Sequence, residues 1–192
     1  MDDKGILELL LEMVKAPSHP GVERQEEGAA RALAAYLDEH GVAAELVEVR
    51  PGRPNVVASI AGPKPGPHLV LCGHLDTVPP NAGSTADFFS GAIRDGRMFG
   101  RGTVDMKGAL AAMAGALVDV RVEGGLASGR LTLAAVVDEE MESLGAEALI
   151  QGGLRADGAV IGEPTANRVA IGHKGLEWLE VRFRGRAAHG ST

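Results

Sequence analysis

Apolar residues recur at helical spacing twice near the start of the chain. Ile6, Leu9, Leu10, Met13 and Val14 predict a helix over 6–15 closed by Pro17, and Ala29, Ala30, Leu33 and Leu37 predict an amphipathic helix over 22–40 stopped at Gly41. Residues 42–49 and 55–61 read as strands on either side of a Pro/Gly turn at 50–54. The runs 69–72, 131–137 and 159–161 are apolar without interruption, the pattern of strands buried on both faces. Between them, 109–122 is apolar nearly all round and predicts a buried helix, and 144–151 a short helix ended by Gly152 and Gly153. Residues 78–96 form a long connection, a length that in compact domains usually has a function or is disordered. From Val169 the pattern changes: Leu179, Val181 and Phe183 alternate with Glu180, Arg182 and Arg184, as in a strand with one wet face. The fold class expected is α/β, with a mixed, largely parallel sheet flanked by helices over 1–172. Residues 173–192 would then be the first strand of an incomplete second, α+β domain.

Composition narrows the function. Hydrophobic residues make up 45% and charged residues 23%, ordinary for a globular chain, so disorder is not expected. A net charge of −7 without a basic stripe argues against nucleic acid and anionic membranes as partners. No apolar run reaches the ~20 residues of a membrane span, and Met-Asp-Asp-Lys-Gly lacks the order of a signal peptide. The expected location is cytoplasmic. The single cysteine, Cys72, excludes an intrachain disulfide and reads as a small core residue.

Chemistry collects where the apolar strands stop. One ends in His74 and Asp76, one in Glu139 and Glu140, one in Glu163, and ligands in open α/β sheets bind beyond the carboxyl ends of strands. Carboxylates placed there face desolvation unless a cation compensates, and one histidine with several carboxylates suits zinc or a neighbouring ion. His74 and Asp76, two apart, point the same way on extended backbone, so the Asp76 carboxylate could accept the second imidazole N–H; a capped turn is the plainer alternative. Asp105 follows Gly100 and Gly102, where it could approach an ion or simply cap the next helix. Glu139 and Glu140 splay apart, so one could ligate and the other act as general base; a solvated turn is the alternative. A dinucleotide-binding reading of Gly100-x-Gly102 fails at Asp105, whose charge would repel a pyrophosphate.

Five ordered motifs carry a resemblance. Gly73-His-Leu-Asp-Thr-Val-Pro79, Gly100-Arg-Gly-Thr-Val-Asp-Met-Lys-Gly108, Asp138-Glu-Glu140, Gly162-Glu-Pro-Thr165 and Gly185-Arg-Ala-Ala-His-Gly-Ser191 resemble the co-catalytic metallopeptidases. That family includes acetylornithine deacetylase, succinyl-diaminopimelate desuccinylase, aminoacylase and the glutamate carboxypeptidases. The resemblance implies a zinc-peptidase-like catalytic domain followed by a lid and dimerisation domain, and two divalent ions, zinc first and cobalt as the alternative. It implies His74 and Glu163 as ligands of one metal, Asp105 as the bridge, Glu140 as ligand of the second, Asp76 as the support of His74 and Glu139 as the general base. His189 resembles the lid histidine that reaches the oxyanion, commonly across a homodimer interface; on its own residues it is a plain loop histidine.

The implied activity is hydrolysis of the amide of an N-acyl amino acid through a metal-bridged water, or of a short peptide. In the resembled family a further ligand histidine and a substrate-binding arginine follow later in the chain, so residues 1–192 alone are expected to bind the second metal weakly and turn over little. The competing readings are a non-catalytic domain that keeps the fold to bind a ligand or partner, and a nucleotide-dependent oxidoreductase, against which Asp105 speaks.

Overall fold

The computed structural model describes residues 3–172, 175, 179–182 and 184–185. In chain order the elements are α1 (Asp3–Lys15), α2 (Glu27–Glu39), β1 (Ala44–Arg50), β2 (Arg53–Ala61), β3 (His68–His74), β4 (Ala92–Arg94), β5 (Arg97–Phe99), α3 (Lys107–Val122), β6 (Arg130–Val136), α4 (Leu144–Gln151) and β7 (Gly158–Ile161). Five strands form one sheet in the order β1-β2-β6-β3-β7. The pairs β1–β2 and β2–β6 are antiparallel, whereas β6–β3 and β3–β7 are parallel. The expected mixed sheet flanked by helices is therefore present.

Side-chain alternation divides the sheet into two unlike faces. On one, Val56, Ala58, Leu133 and Ala135 pack with Leu9, Met13, Leu33, Leu37, Leu110, Ala114 and Leu117 of the first three helices into an aliphatic core. On the other, Ser59 and His68 both meet the Thr132 hydroxyl, at 2.7 and 2.8 Å, and Asn55 donates to the Gly145 carbonyl in the first turn of α4 at 2.9 Å. Polar residues are tolerated on that face because each finds a partner there.

Three expectations shift. The second helix begins at Glu27, because Arg24 takes a left-handed conformation (φ 56°) that breaks a right-handed helix. The long connection contains a hairpin, β4–β5, turned by Asp95 and Gly96, both at positive φ as a two-residue turn requires. β7 is not buried: Val160 and Ile161 are 49% and 56% exposed, since β7 pairs on one side only among the described residues. No strand falls beyond Ile161 among the described residues. The strand expected near 179–184 lies partly outside them, and its described residues, 179–182 and 184, are in no strand.

Candidate metal centre

β3 delivers His74 to the end of the sheet, and the next residues are pinned from two sides. Leu75 N–H donates to the Val136 carbonyl, continuing the parallel ladder past the last strand residue (2.8 Å). The loop after α1 holds the opposite side: Ser18 Oγ donates to Leu75 O at 2.8 Å, and Thr77 N–H donates to Ser18 O at 3.0 Å. His74 and Asp76 are consequently almost fully buried.

Within this corner the His74 Nδ1–H donates to the Asp76 backbone carbonyl at 2.9 Å, and a carbonyl can only accept, so Nε2 is the atom turned to the crevice. The sequence left two readings of the Asp76 side chain open, an acceptor for that bond or a turn cap on backbone N–H groups, and the second is the one observed. In the structure its nearer carboxylate oxygen stands 3.6 Å from Nδ1, and the two oxygens instead accept the backbone N–H groups of Glu139 and Glu140, each at 3.0 Å. One buried carboxylate therefore ties the end of β3 to the turn after β6.

Around Nε2 stand Asp105 at 3.0 Å, Glu163 at 3.7 Å and Glu139 at 3.8 Å. Asp105 arrives from the start of α3, which can approach the sheet because two positions lack a side chain. A Cβ at Gly73 would strike Met106 and Leu110, and one at Gly162 would strike Met106 and Met113. Lys107, fully buried, anchors the same segment from below by donating to the Met13 and Ala16 carbonyls at 2.8 and 3.0 Å. Its pKa is lowered to about 8, by burial against the opposing pull of Asp76 and Glu26.

Two groups of donor atoms lie within 4.8 Å of one another and could each hold a metal ion: His74, Glu139 and Glu163, and His74, Asp105 and Glu140. All four expected ligands and the expected base thus share one crevice. His189 lies outside the described residues. The donor set fits a divalent cation on its own electrostatics. Burial pushes the Glu140 carboxyl up, as does Asp105, with His74 opposing; Glu163 is raised by burial against His74, with Asp105 and the two neighbouring glutamates adding to the rise. Burial alone would lower His74, but Asp76, Glu163 and Glu139 outweigh it and the net shift is upward. Burial and mutual repulsion both disfavour charge on these carboxyls, and a cation in the crevice would relieve both. Ligands each ~2.0–2.2 Å from one ion stand ~3–4 Å from each other, and His74 Nε2 stands 3.0, 3.7 and 3.8 Å from Asp105, Glu163 and Glu139.

A cleft of about 260 Å³ opens beside the carboxylates, lined by Val78, the segment 100–105 and Glu140. Arg101 spans its wall, donating to the Pro79 carbonyl and Asn81 at 3.2 and 3.3 Å with its guanidinium over the Phe88 ring. Cys72 sits half-buried in β3, its thiol pushed up to about 11 by burial and then by Glu163. Sequence reasoning missed Ser18, Lys107, Glu26 and Arg53. Only Lys107 carried a signal, a cation opening a helix that is otherwise apolar from Gly108 to Val118.

The strand-end donors, the close approach of α3 and the mixed sheet define a metallopeptidase-type catalytic fold. A family model described as peptidase family M20/M25/M40 matches residues 70–188, more than half of the chain, and the chain belongs to that family. It is 38% identical over 161 residues to a protein of Staphylococcus epidermidis named probable succinyl-diaminopimelate desuccinylase, covering 81% of this chain and 39% of that one. It is also 38% identical over 177 residues to the succinyl-diaminopimelate desuccinylase of Methylocella silvestris, covering 86% and 44%. Among solved structures, an M20 family metallo-carboxypeptidase from Sulfolobus solfataricus superposes with a TM-score of 0.66 at 26% identity, covering 84% of this chain and 37% of that one. The chain spans about two fifths of the length of the curated relatives it matches. No helix among the described residues is long and apolar enough to cross a membrane.

Proposed function

We propose that the protein is a two-metal amidohydrolase that cleaves the amide of an N-acyl amino acid, with an N-succinyl diamino acid as the leading substrate. The observation that carries this reading is the single buried imidazole nitrogen faced by Asp105, Glu139 and Glu163 at 3.0–3.8 Å, with Glu140 adjoining. The desuccinylase relatives at 38% identity support the acyl group. His74 and Glu163 would hold one ion, Glu140 the second, and Asp105 would bridge. Zinc is the leading metal, with cobalt as the alternative. Two bound divalent ions would supply an acidified water and polarisation of the amide carbonyl.

Glu139 accepts a proton from the attacking water, whose oxygen bonds to the carbonyl carbon. The C–N bond then breaks, and Glu139 returns the proton to the departing amine. Its carboxylate is half-exposed while its backbone N–H is held by Asp76, so it can reach substrate without losing its station. The substrate acid would enter the cleft beside segment 100–105. His189 is assigned to the oxyanion from a second domain beginning near residue 172, and the working state is a cytoplasmic homodimer. The boundary is supported by the sheet's last strand ending at Ile161 and by the full exposure of Val169 and Ile171.

The test uses the full-length protein, metal analysis and hydrolysis of N-succinyl-diaminopimelate, N-acetylornithine and a dipeptide panel. Glu139→Ala should cut turnover by about 10²–10⁴-fold with metal content unchanged, and Glu140→Ala should lower metal content. Near-normal turnover in Glu139→Ala would sink the role assignment. Faster cleavage of peptides than of acyl amino acids would favour the carboxypeptidase-like alternative, which the 26% identity to the Sulfolobus enzyme supports.

A further inference from the structure

The turn that carries Glu139 and Glu140 is gripped on two sides, and only one grip belongs to the crevice. Asp76 holds the two amides from within. From the far side the hold passes through Asp138, a buried residue in the left-handed conformation (φ 67°), which Asp enters more readily than most residues with a Cβ but which still needs local bonds to hold it. Its backbone carbonyl accepts from Ser143 N–H at 2.6 Å, and one carboxylate oxygen accepts from Glu142 N–H at 3.2 Å. The other accepts from Arg53 Nη2 at 2.7 Å.

The same guanidinium forks onto Glu26, Nε to Oε2 at 2.7 Å and Nη2 to Oε1 at 2.5 Å, and Glu26 has no exposed surface. Two residues along β2, Asn55 accepts from Val137 N–H at 3.0 Å and donates to Gly145 O at 2.9 Å. The first residues of β2 thus hold both ends of segment 137–145, and the two working glutamates lie between the fixed points.

We propose that Arg53 is a positioning residue for Glu139 and Glu140: its fork between Glu26 and Asp138 locks Asp138 in the left-handed conformation and so sets where the next two side chains point. The proposal rests on the reading of those glutamates as base and ligand. Three features support it. A planar fork fixes direction in a way a point charge cannot. A buried triad of two carboxylates and one cation is a poor source of stability compared with apolar packing, so directional specificity is the physical reason to have one here. The triad also ties the turn to the residue before α2, a rigid element of the core, rather than to another loop.

The experiment compares wild type, Arg53→Gln, Arg53→Lys and Asp138→Asn in the full chain, first without metal by amide hydrogen exchange and then by zinc titration. In Arg53→Gln, exchange at the Glu139 and Glu140 amides should accelerate about tenfold or more while Leu75, held by β6, keeps its protection. The affinity of the Glu140-side ion should fall about 10–100-fold with the His74–Glu163 ion little changed. Arg53→Lys, which keeps the charge without the fork, should regain thermal stability more than it regains protection of the two amides. If Arg53→Gln merely lowers the melting temperature, with amide exchange and both zinc constants as in wild type, the residue is structural only and the proposal is overturned. Should Arg53→Gln not fold, Asp138→Asn decides by the same readouts. A wild type that takes up no zinc would refute the metal-centre reading, and the exchange arm would still decide whether Arg53 holds the turn.

Discussion

The crevice has two halves built on opposite terms. His74 and Asp76 have side chains 1% and 0% exposed, locked by backbone bonds from β6 and from the loop after α1. Asp105, Glu139 and Glu163 are 51%, 46% and 37% exposed, and among the described residues their side-chain oxygens pair only with His74. The first half is preorganised by folding; the second remains open to water. Such a division lets the protein fold around an acidic cluster without burying unpaired charge, and leaves the open carboxylates to be ordered by whatever cation they receive.

The contrast breaks most severely at its buried end. Asp76→Ala would strand the Glu139 and Glu140 amides and remove the link between β3 and the turn, so a loss of about 3–5 kcal/mol is expected. Urea unfolding of the metal-free protein measures it, and a loss under about 1 kcal/mol would show that the corner is held by something else. Next comes Lys107→Met. It leaves the Met13 and Ala16 carbonyls without their donor but also removes a desolvated charge, for a net loss of about 1–3 kcal/mol by the same titration. Unchanged stability would detach the Asp105 segment from α1.

A smaller effect sharpens the open half through pH. His74, ordinarily near 6.5, and Glu140 and Glu163, ordinarily near 4.5, are all raised in the folded chain. At these three groups the native state therefore binds more protons than the unfolded one, while Lys107, lowered to about 8, pulls the other way only as pH nears 8. His74's contribution is fully present below its ordinary value and lost as pH rises through the raised one, and the two glutamates act in the same direction at lower pH. The metal-free protein should melt higher at pH 6 than at pH 8. Zinc must displace those protons, so its affinity should run the other way, falling about tenfold per proton displaced for each pH unit lowered. Melting curves and zinc titrations at both values check the opposed signs; parallel trends would contradict the proton count. The least effect belongs to Glu163→Gln. Partly exposed and paired only loosely with His74 at 3.7 Å, it should leave metal-free stability within about 0.5 kcal/mol while weakening zinc binding at the His74–Glu163 group.

Much of this was legible before any coordinates. Helix 144–151 ends where its glycines say, and the apolar strands stop where their polar residues begin, because burial and period act locally and leave a mark in the pattern. The donors His74, Glu139, Glu140 and Glu163 stood out for the same reason, as polar groups at the ends of apolar runs, and Asp105 through the glycines before it. Arg53 and Glu26 left no such mark. Each reads as a surface charge, and the ion triad exists only because the antiparallel pairing of β2 with β6 places Arg53 near the Asp138 turn while α2 brings Glu26 from the other side. The role of Asp76 was half-legible: the residue could be named, but whether its carbonyl or its carboxylate would meet the imidazole depended on where the Glu139 amide came to rest.

By itself, then, the sequence determined most of the elements, though not the β4–β5 hairpin, and the inventory of ligands around the strand ends, since these follow from interactions within a few residues. The tertiary structure decided which half of the crevice is rigid, how close α3 comes to the sheet across Gly73 and Gly162, and which distant cations hold the acidic turn. Those outcomes depend on contacts between segments more than 25 residues apart, as Arg53 with Glu26 at a separation of 27 and with Asp138 at 85, and no local pattern encodes them.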